Sequence, residues 1–208
     1  MENHSILWSS EDGKASIEKW ILNKEQKTNL KRVSEVVQPD LIDHPKMKGL
    51  MFGKECREPR SVRLFEMKKG EVEEYQYSKT VQIANQAPIE LINLTNLING
   101  HFKSEYNAAL VNQYKPEDSI GDHSDAEKTL DQNTGVVCVS YGATRNLIFK
   151  DKASKERKIV LKLPMESGDV IVMKGDCQKL LTHGIRPEKR TKGVRLSITW
   201  RKHIKKNK

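Results

Sequence analysis

NQYKPEDSIGDHSD, residues 112–125, is the stretch from which the rest of the chain can be read. Its end places His123 and Asp125 two residues apart. On an extended backbone, side chains two apart point to the same face, so an imidazole and a carboxylate stand side by side. A second histidine from far downstream completes a facial set of two His and one carboxylate. Such a set holds Fe(II) and leaves positions open for a co-substrate and O2. Asn112 and Tyr114 share a face just upstream, within reach of whatever fills those positions. By itself His-x-Asp is a frequent pattern and reads more often as turn residues at a strand end. The C-terminal part of the chain shifts the reading.

There, His183 precedes Gly184, and residues 195–201 read RLSITWR. Leu196, Ile198 and Trp200 alternate with Arg195, Ser197, Thr199 and Arg201, which predicts a strand with one apolar and one polar face. On a surface edge the polar face meets water. In a barrel that holds an anionic ligand it points inward, where two guanidinium groups are costly unless they meet carboxylates. The two arginines are roughly 20 Å apart on a fully extended strand. They therefore do not grip one carboxylate together, and the division of labour between them stays open.

Between these two landmarks the pattern is strand after strand. AALVNQY (108–114), VVCVSY (136–141), LIFK (147–150), KIVLKL (158–163) and DVIVM (169–173) are separated by turns such as KPED, GATR and ESGD. No helical pattern intervenes, which argues against a parallel βαβ sheet and for an antiparallel sandwich or jelly roll. Upstream, APIELINLTNLINGHF (87–102) predicts a helix packed outside one sheet. Pro88 suits its first turn, Ile89, Ile92 and Leu97 its apolar face, and Gly100 its C-cap. Lys68-Lys69-Gly70 predicts a hairpin turn leading into VEEYQYS (72–78), with Tyr75 and Tyr77 on one face. Those rings either pack in a core or, in a cleft, stack on a flat ring. Residues 50–66 read as two short extended pieces, with Gly53 in a tight turn. Ser16–Leu22 predicts a short helix capped by Ser16, with Ile17, Trp20 and Ile21 on one face. Pro39 and Pro45 mark an irregular link. The expected organisation is an N-terminal extension over 1–45 and one domain over 46–208.

Length and composition agree with a single domain large enough for a real core. The chain has no apolar run of about eighteen residues, which excludes a membrane helix. Its N-terminus lacks the basic-then-apolar layout of a signal peptide, so an intracellular protein is expected. Cys56, Cys138 and Cys177 form no CxxC and read as reduced thiols, the last two buried. His4, His44, His101 and His203 have no partner pattern and are expected to be solvated. The net charge of +9 suits either a phosphate polyanion as partner or ordinary solubility. It is partly clustered, with Lys202, Lys205, Lys206 and Lys208 in the tail and Lys68, Lys69 and Lys79 around the hairpin.

In order, NQY, HSDAE, VSYGATR, HGI and RLSITWR resemble the AlkB family of Fe(II)/2-oxoglutarate dioxygenases, over residues from about 50 to 203. FGK (52–54), PR (59–60) and YQYS (75–78) also fall where the nucleic-acid-repair members carry such residues. The resemblance implies an α+β fold: a double-stranded β-helix (jelly roll) with supporting N-terminal helices and a substrate-binding lid at about 50–80. It implies His123, Asp125 and His183 as iron ligands and Arg195 on the distal carboxylate of 2-oxoglutarate. Asn112, Tyr114, Thr199 and Arg201 complete that pocket, with O2 as co-substrate. On the substrate side it implies methylated DNA or RNA, bound by a monomer. Tyr77 then stacks on a flipped base opposite the His123 ring, and Tyr75 hydrogen-bonds nearby. Phe52, Gly53 and Lys54 form the finger that fills the gap in the duplex. The implied reaction demethylates 1-methyladenine and 3-methylcytosine, releasing succinate, CO2 and formaldehyde. An RNA-directed demethylase and a jelly roll that binds without turnover are the alternatives. One position departs from the pattern. Ala126 stands where duplex-repair members tend to carry an acidic residue, leaving Glu127 as the carboxylate near the base.

Overall fold

The computed structural model describes the backbone of residues 1–42, 48–51, 54–57, 60–72, 74–77 and 80–204. Side chains are described for these except at 39, 40, 42, 48–51, 54–57, 74–77 and 80–82. The chain begins with the antiparallel pair β1 (Glu2–Ser9) and β2 (Ala15–Ile21), then α1 (Lys24–Ile42). The short strands β3 (Lys48–Met51), β4 (Lys54–Arg57), β5 (Ser61–Glu66), β6 (Glu74–Tyr77), β7 (Thr80–Ile83) and β8 (Asn85–Gln86) lead to α2 (Ile89–Phe102). Next come β9 (Ala108–Tyr114), β10 (Ile120–His123), β11 (Val136–Gly142), β12 (Arg145–Asp151), β13 (Ile159–Met165) and β14 (Asp169–Gly175). A single helical turn, α3 (Cys177–Leu180), runs directly into β15 (Leu181–Ile185), and β16 (Arg195–Arg201) ends the sheet structure.

These strands form an eight-stranded sheet, ordered β1-β2-β14-β11-β16-β9-β5-β8, and a four-stranded sheet, ordered β10-β15-β12-β13. Every pairing in them is antiparallel except β5 with β8. This is the jelly roll expected from the strand pattern. β16 shows why it closes. Leu196, Ile198 and Trp200, each at most 1% exposed, face a core shared with α1 and α2. The Trp200 indole N–H donates to Thr95 Oγ1 of α2 at 2.8 Å, so the apolar face of the strand is tied to the helix covering it. The other face of β16 turns toward the small sheet. All seven residues of the strand are buried.

The N-terminal region differs from expectation. Ser16–Leu22 is strand, not helix: β2 pairs with β14 from Asp169↔Ile21 to Gly175↔Ala15. Ile17 and Ile21 also share a face at strand period, with Trp20 on the other face, and the open edge of β14 decides for strand. α1 was not foreseen, and it runs through Pro39 instead of stopping there. Asn23 and Gln26 cap it reciprocally: Gln26 N–H donates to Asn23 Oδ1 at 2.9 Å, and Asn23 N–H to Gln26 Oε1 at 3.0 Å. Leu30, Val33, Val37 and Leu41 then form a stripe that is at most 1% exposed. Burying four such side chains at about 1.5–3 kcal/mol each outweighs the ~3 kcal/mol that an interior proline costs.

Smaller corrections follow from packing. In α2 the buried stripe is Leu91, Leu94, Thr95 and Ile98, whereas Ile89 and Leu97 are exposed. Pro88 is its N-cap, and the C-cap is Lys103 in the left-handed region (φ 50°), not Gly100. The turn at Lys68–Gly70 exists, with Gly70 at φ 78°. It does not close a hairpin, because β5 pairs with β9 and β8 while β6 pairs with β7. His203 is buried, His4 Nε2 lies 3.1 Å from Glu18 Oε2, and His101 stands edge-on to Trp20. Three of the four histidines expected in solvent therefore have partners or burial. His44, Pro45, Phe52, Gly53, Lys79, Lys205, Lys206 and Lys208 lie outside the described residues. No helix among the described residues is long and apolar enough to cross a membrane.

Candidate metal and anion site

A cavity opens between the two sheets. The large sheet contributes Val62, Leu110, Asn112, Tyr114, Cys138, Met173, Arg195, Ser197, Thr199 and Arg201. The small sheet contributes Ile120, His123, Leu147, His183 and Ile185. Register explains the grouping. Tyr114 pairs with Arg195 and Asn112 with Ser197 across β9–β16, so alternate residues of both strands present one polar face to the interior. The inward reading of RLSITWR is the one realised.

At one end stand the expected ligands. His123 and His183 are direct partners across β10 and β15, with ring centroids 4.4 Å apart. Gly184 permits this approach: a Cβ there would come within 2.9 Å of Asp122 Oδ1 and 3.0 Å of the Ile120 carbonyl. One potential ligand atom from each of His123, Asp125 and His183 lies within 4.8 Å of the other two. His123 Nδ1 is 2.9 Å from the Gly121 carbonyl. A carbonyl only accepts, so Nδ1 carries the proton and Nε2 is left as the lone-pair donor.

The electrostatics suit a cation. Burial alone would push the Asp125 carboxyl up, but the Arg201 guanidinium and the two imidazoles outweigh it and hold the group at about 2. Arg201 Nη2 donates to Asp125 Oδ1 at 2.6 Å. Asp125 Oδ2 is buried, accepts no hydrogen bond among the described residues and lies 3.9 Å from His183 Nε2. Burial, with His123 beside it, pulls His183 down to about 3, so its imidazole is neutral. An ionised carboxylate with one bare oxygen and two neutral imidazoles is a donor set that fits iron(II).

The other end suits an anion. Arg195 is fully buried; its Nε donates to Ser140 Oγ at 2.9 Å, and its guanidinium carbon sits 5.5 Å from the centre of the Tyr114 ring. Its Nη1 and Nη2 are buried with no hydrogen-bond partner among the described residues. A buried guanidinium with a bare two-nitrogen edge fits the carboxylate of a ligand such as 2-oxoglutarate. Asn112 is held from the side by Arg60, whose Nε donates to its Oδ1 at 2.8 Å. Thr199 lies on the cavity wall.

The structure thus brings His123, Asp125, His183, Asn112, Tyr114, Arg195, Thr199 and Arg201 around one cavity. Glu127 is half-buried in the turn after Asp125 and is not among the cavity-lining residues. Tyr75 and Tyr77 are placed only as backbone of β6, and Lys54 only as backbone of β4. Sequence reasoning did not single out Arg60, Ser140, Cys138 or Gln178 for the site. Arg60 carried a signal in the PR pair; the other three are small or neutral residues without a motif of their own.

Comparison with known proteins agrees with this geometry. Residues 13–201 match the family model described as the 2OG-Fe(II) oxygenase superfamily. The chain is 30% identical over 111 residues to human "DNA oxidative demethylase ALKBH2", an alignment covering 50% of this chain and 42% of that protein. It is 29% identical over 136 residues to the Bos taurus "Alpha-ketoglutarate-dependent dioxygenase alkB homolog 3", covering 61% of this chain and 47% of that protein. The matches thus span less than half the length of these relatives. A solved structure titled "The structure of OsALKBH1" superposes with a TM-score of 0.58 at 16% identity, covering 90% of this chain and 96% of the other, a likeness of fold.

Proposed function

We propose that this chain, which belongs to the 2OG-Fe(II) oxygenase superfamily, oxidatively demethylates alkylated nucleobases in DNA or RNA. The observation that carries the proposal is the joint presence, in one cavity, of a three-ligand metal set and a buried arginine with a bare anion-binding edge. The relative named as a DNA oxidative demethylase supplies the substrate class. When bound, iron(II), 2-oxoglutarate and O2 supply the oxidation: 2-oxoglutarate becomes succinate and CO2, and the N-methyl carbon leaves as formaldehyde.

The chain's own residues prepare that chemistry. Arg195 holds the distal carboxylate of 2-oxoglutarate through Nη1 and Nη2, while Ser140 fixes Nε. Asn112, Tyr114 and Thr199 close the pocket around it. Arg201 keeps Asp125 ionised, and the ladder keeps the two imidazoles facing each other. Val62, Leu110, Leu147 and Met173 keep the walls apolar, which strengthens every charge interaction inside. Tyr75, Tyr77, Phe52, Gly53, Lys54 and Glu127 are assigned to the base and strand side by the AlkB resemblance. The net charge of +9 suits a phosphate polyanion.

The deciding experiment is formaldehyde release from oligonucleotides carrying 1-methyladenine or 3-methylcytosine, as DNA and RNA, single and double stranded, with iron(II), 2-oxoglutarate and ascorbate. Formaldehyde in step with restored base from at least one polymer is expected. Background release from all of them, by protein that still binds Mn(II) and 2-oxoglutarate, overturns the proposal.

A further inference from the structure

The three ligands are not held alike. His123, the last residue of β10, pairs directly with His183 of β15, after a shift in register that follows Ile120. Asp125 lies beyond the last residue of β10, in a stretch with no regular structure, so no ladder holds its backbone. Its amide donates instead to a side chain: Asp125 N–H to Gln178 Oε1, at 2.8 Å and buried. Gln178 is 7% exposed and is itself held on three sides. Its Nε2 lies 3.4 Å from Met173 Sδ, its own carbonyl accepts from Lys152 Nζ at 2.6 Å, and its backbone belongs to α3. α3 runs without a break into β15, and Gln178 lies five residues before His183. A single side chain therefore ties the backbone of the carboxylate ligand to the segment that carries the distal histidine.

We propose that Gln178 is a positioning residue for the metal centre: its carboxamide oxygen sets the place of Asp125 relative to His183 and so fixes the ligand geometry. This rests on reading the three residues as a metal site. The physical reason is register. A carboxylate on an irregular turn samples positions that a ladder residue does not, and a metal centre tolerates little drift in its ligands. Arg201 acts on the carboxylate, through its bond to Oδ1, whereas Gln178 acts on the backbone N–H. Outer-shell partners of this kind typically contribute 10–100-fold in metal affinity.

The test is Mn(II) binding to the whole chain, followed by loss of the free-ion electron paramagnetic resonance signal, which needs neither turnover nor a nucleic acid. Gln178→Met keeps the bulk and removes the acceptor. It is expected to weaken Mn(II) by about 10–100-fold while the metal-free melting temperature moves little. Gln178→Glu, which keeps the acceptor oxygen, is expected to regain most of that affinity. Should Gln178→Met fail to fold, Gln178→Asn withdraws the acceptor by one methylene and is expected to show a smaller loss of the same kind. Parent-like Mn(II) affinity in whichever of the two folds overturns the proposal. So does an equal loss in the Glu variant. Absence of Mn(II) binding by the parent chain would instead overturn the metal-site reading itself, so the two failures are distinguishable.

Discussion

The two ends of the cavity carry the same kind of cation in opposite circumstances. Arg201 and Arg195 sit six residues apart on one strand, both buried, both on the inward face. Arg201 has its counter-charge in place, a 2.6 Å bond to Asp125. Arg195 has a hydroxyl, a ring and a bare edge. The charge of Arg201 is matched within the chain; that of Arg195 has no matching carboxylate among the described residues. On the proposed function, the first arginine serves stability and the state of the metal ligand. The second serves binding, and the fold carries it at a cost.

The largest effect expected is at the metal end. His183→Ala is expected to abolish iron-dependent formaldehyde release and to remove Mn(II) binding, read by turnover and by titration. An unchanged rate would take His183 out of the ligand set. Next, Arg201→Met leaves Asp125 buried beside neutral imidazoles. It is expected to destabilise the metal-free protein by about 3–5 kcal/mol, the range for breaking a buried pair, measured by urea unfolding. Arg195→Met should behave in the opposite way. It is expected to weaken 2-oxoglutarate by about 100-fold, or about 2.7 kcal/mol, with metal-free stability held or raised. Equal stability losses at 195 and 201 would break the contrast between the two ends. If Arg195→Met weakened only oligonucleotide affinity, that residue would be a phosphate contact.

The last effect is a pH dependence just outside the cavity, spread over more than two pH units. Burial, together with nearby Arg201, pulls His203 down to about 4, so the folded state keeps its ring neutral. The unfolded chain takes up that proton as pH falls through the ordinary histidine range, near 6.5. Stability is thus fully present above that range and is lost as pH falls from it toward 4, by up to about 1.4 kcal/mol per unit. His203→Asn is expected to flatten this part of the stability-against-pH curve. A slope unchanged by the substitution would assign it to other groups.

Legibility followed the range of the interactions. β9, β11 and β16 were readable because strand alternation is local and both of their faces are buried. That His123, Asp125, His183 and Arg195 meet at one cavity was readable because their motifs stand in order along the chain. α1 left two signals that went unread, the Asn23–Gln26 cap and the stripe from Leu30 to Leu41. Pro39 masked them, since local propensity argues against a helix that burial sustains. The face of α2 is not legible because the helix is apolar on most sides, and only the core it shares with α1 and the sheet selects Leu91 and Leu94 over Ile89 and Leu97.

What the amino-acid order determined on its own is the alternation, the turns, and the succession of His, Asp, His and Arg that identifies the chemistry. What the tertiary structure decided is everything that depends on a partner distant in sequence. It turned Ser16–Leu22 into a strand because β14 had an edge to offer. It set Arg201 on Asp125 and left Arg195 open. It placed the side-chain oxygen of Gln178 on the backbone N–H of Asp125, fifty-three residues away. The reason is that a charge or a strand edge has no preferred partner until folding brings one within a few ångströms, where desolvation makes the pairing decisive.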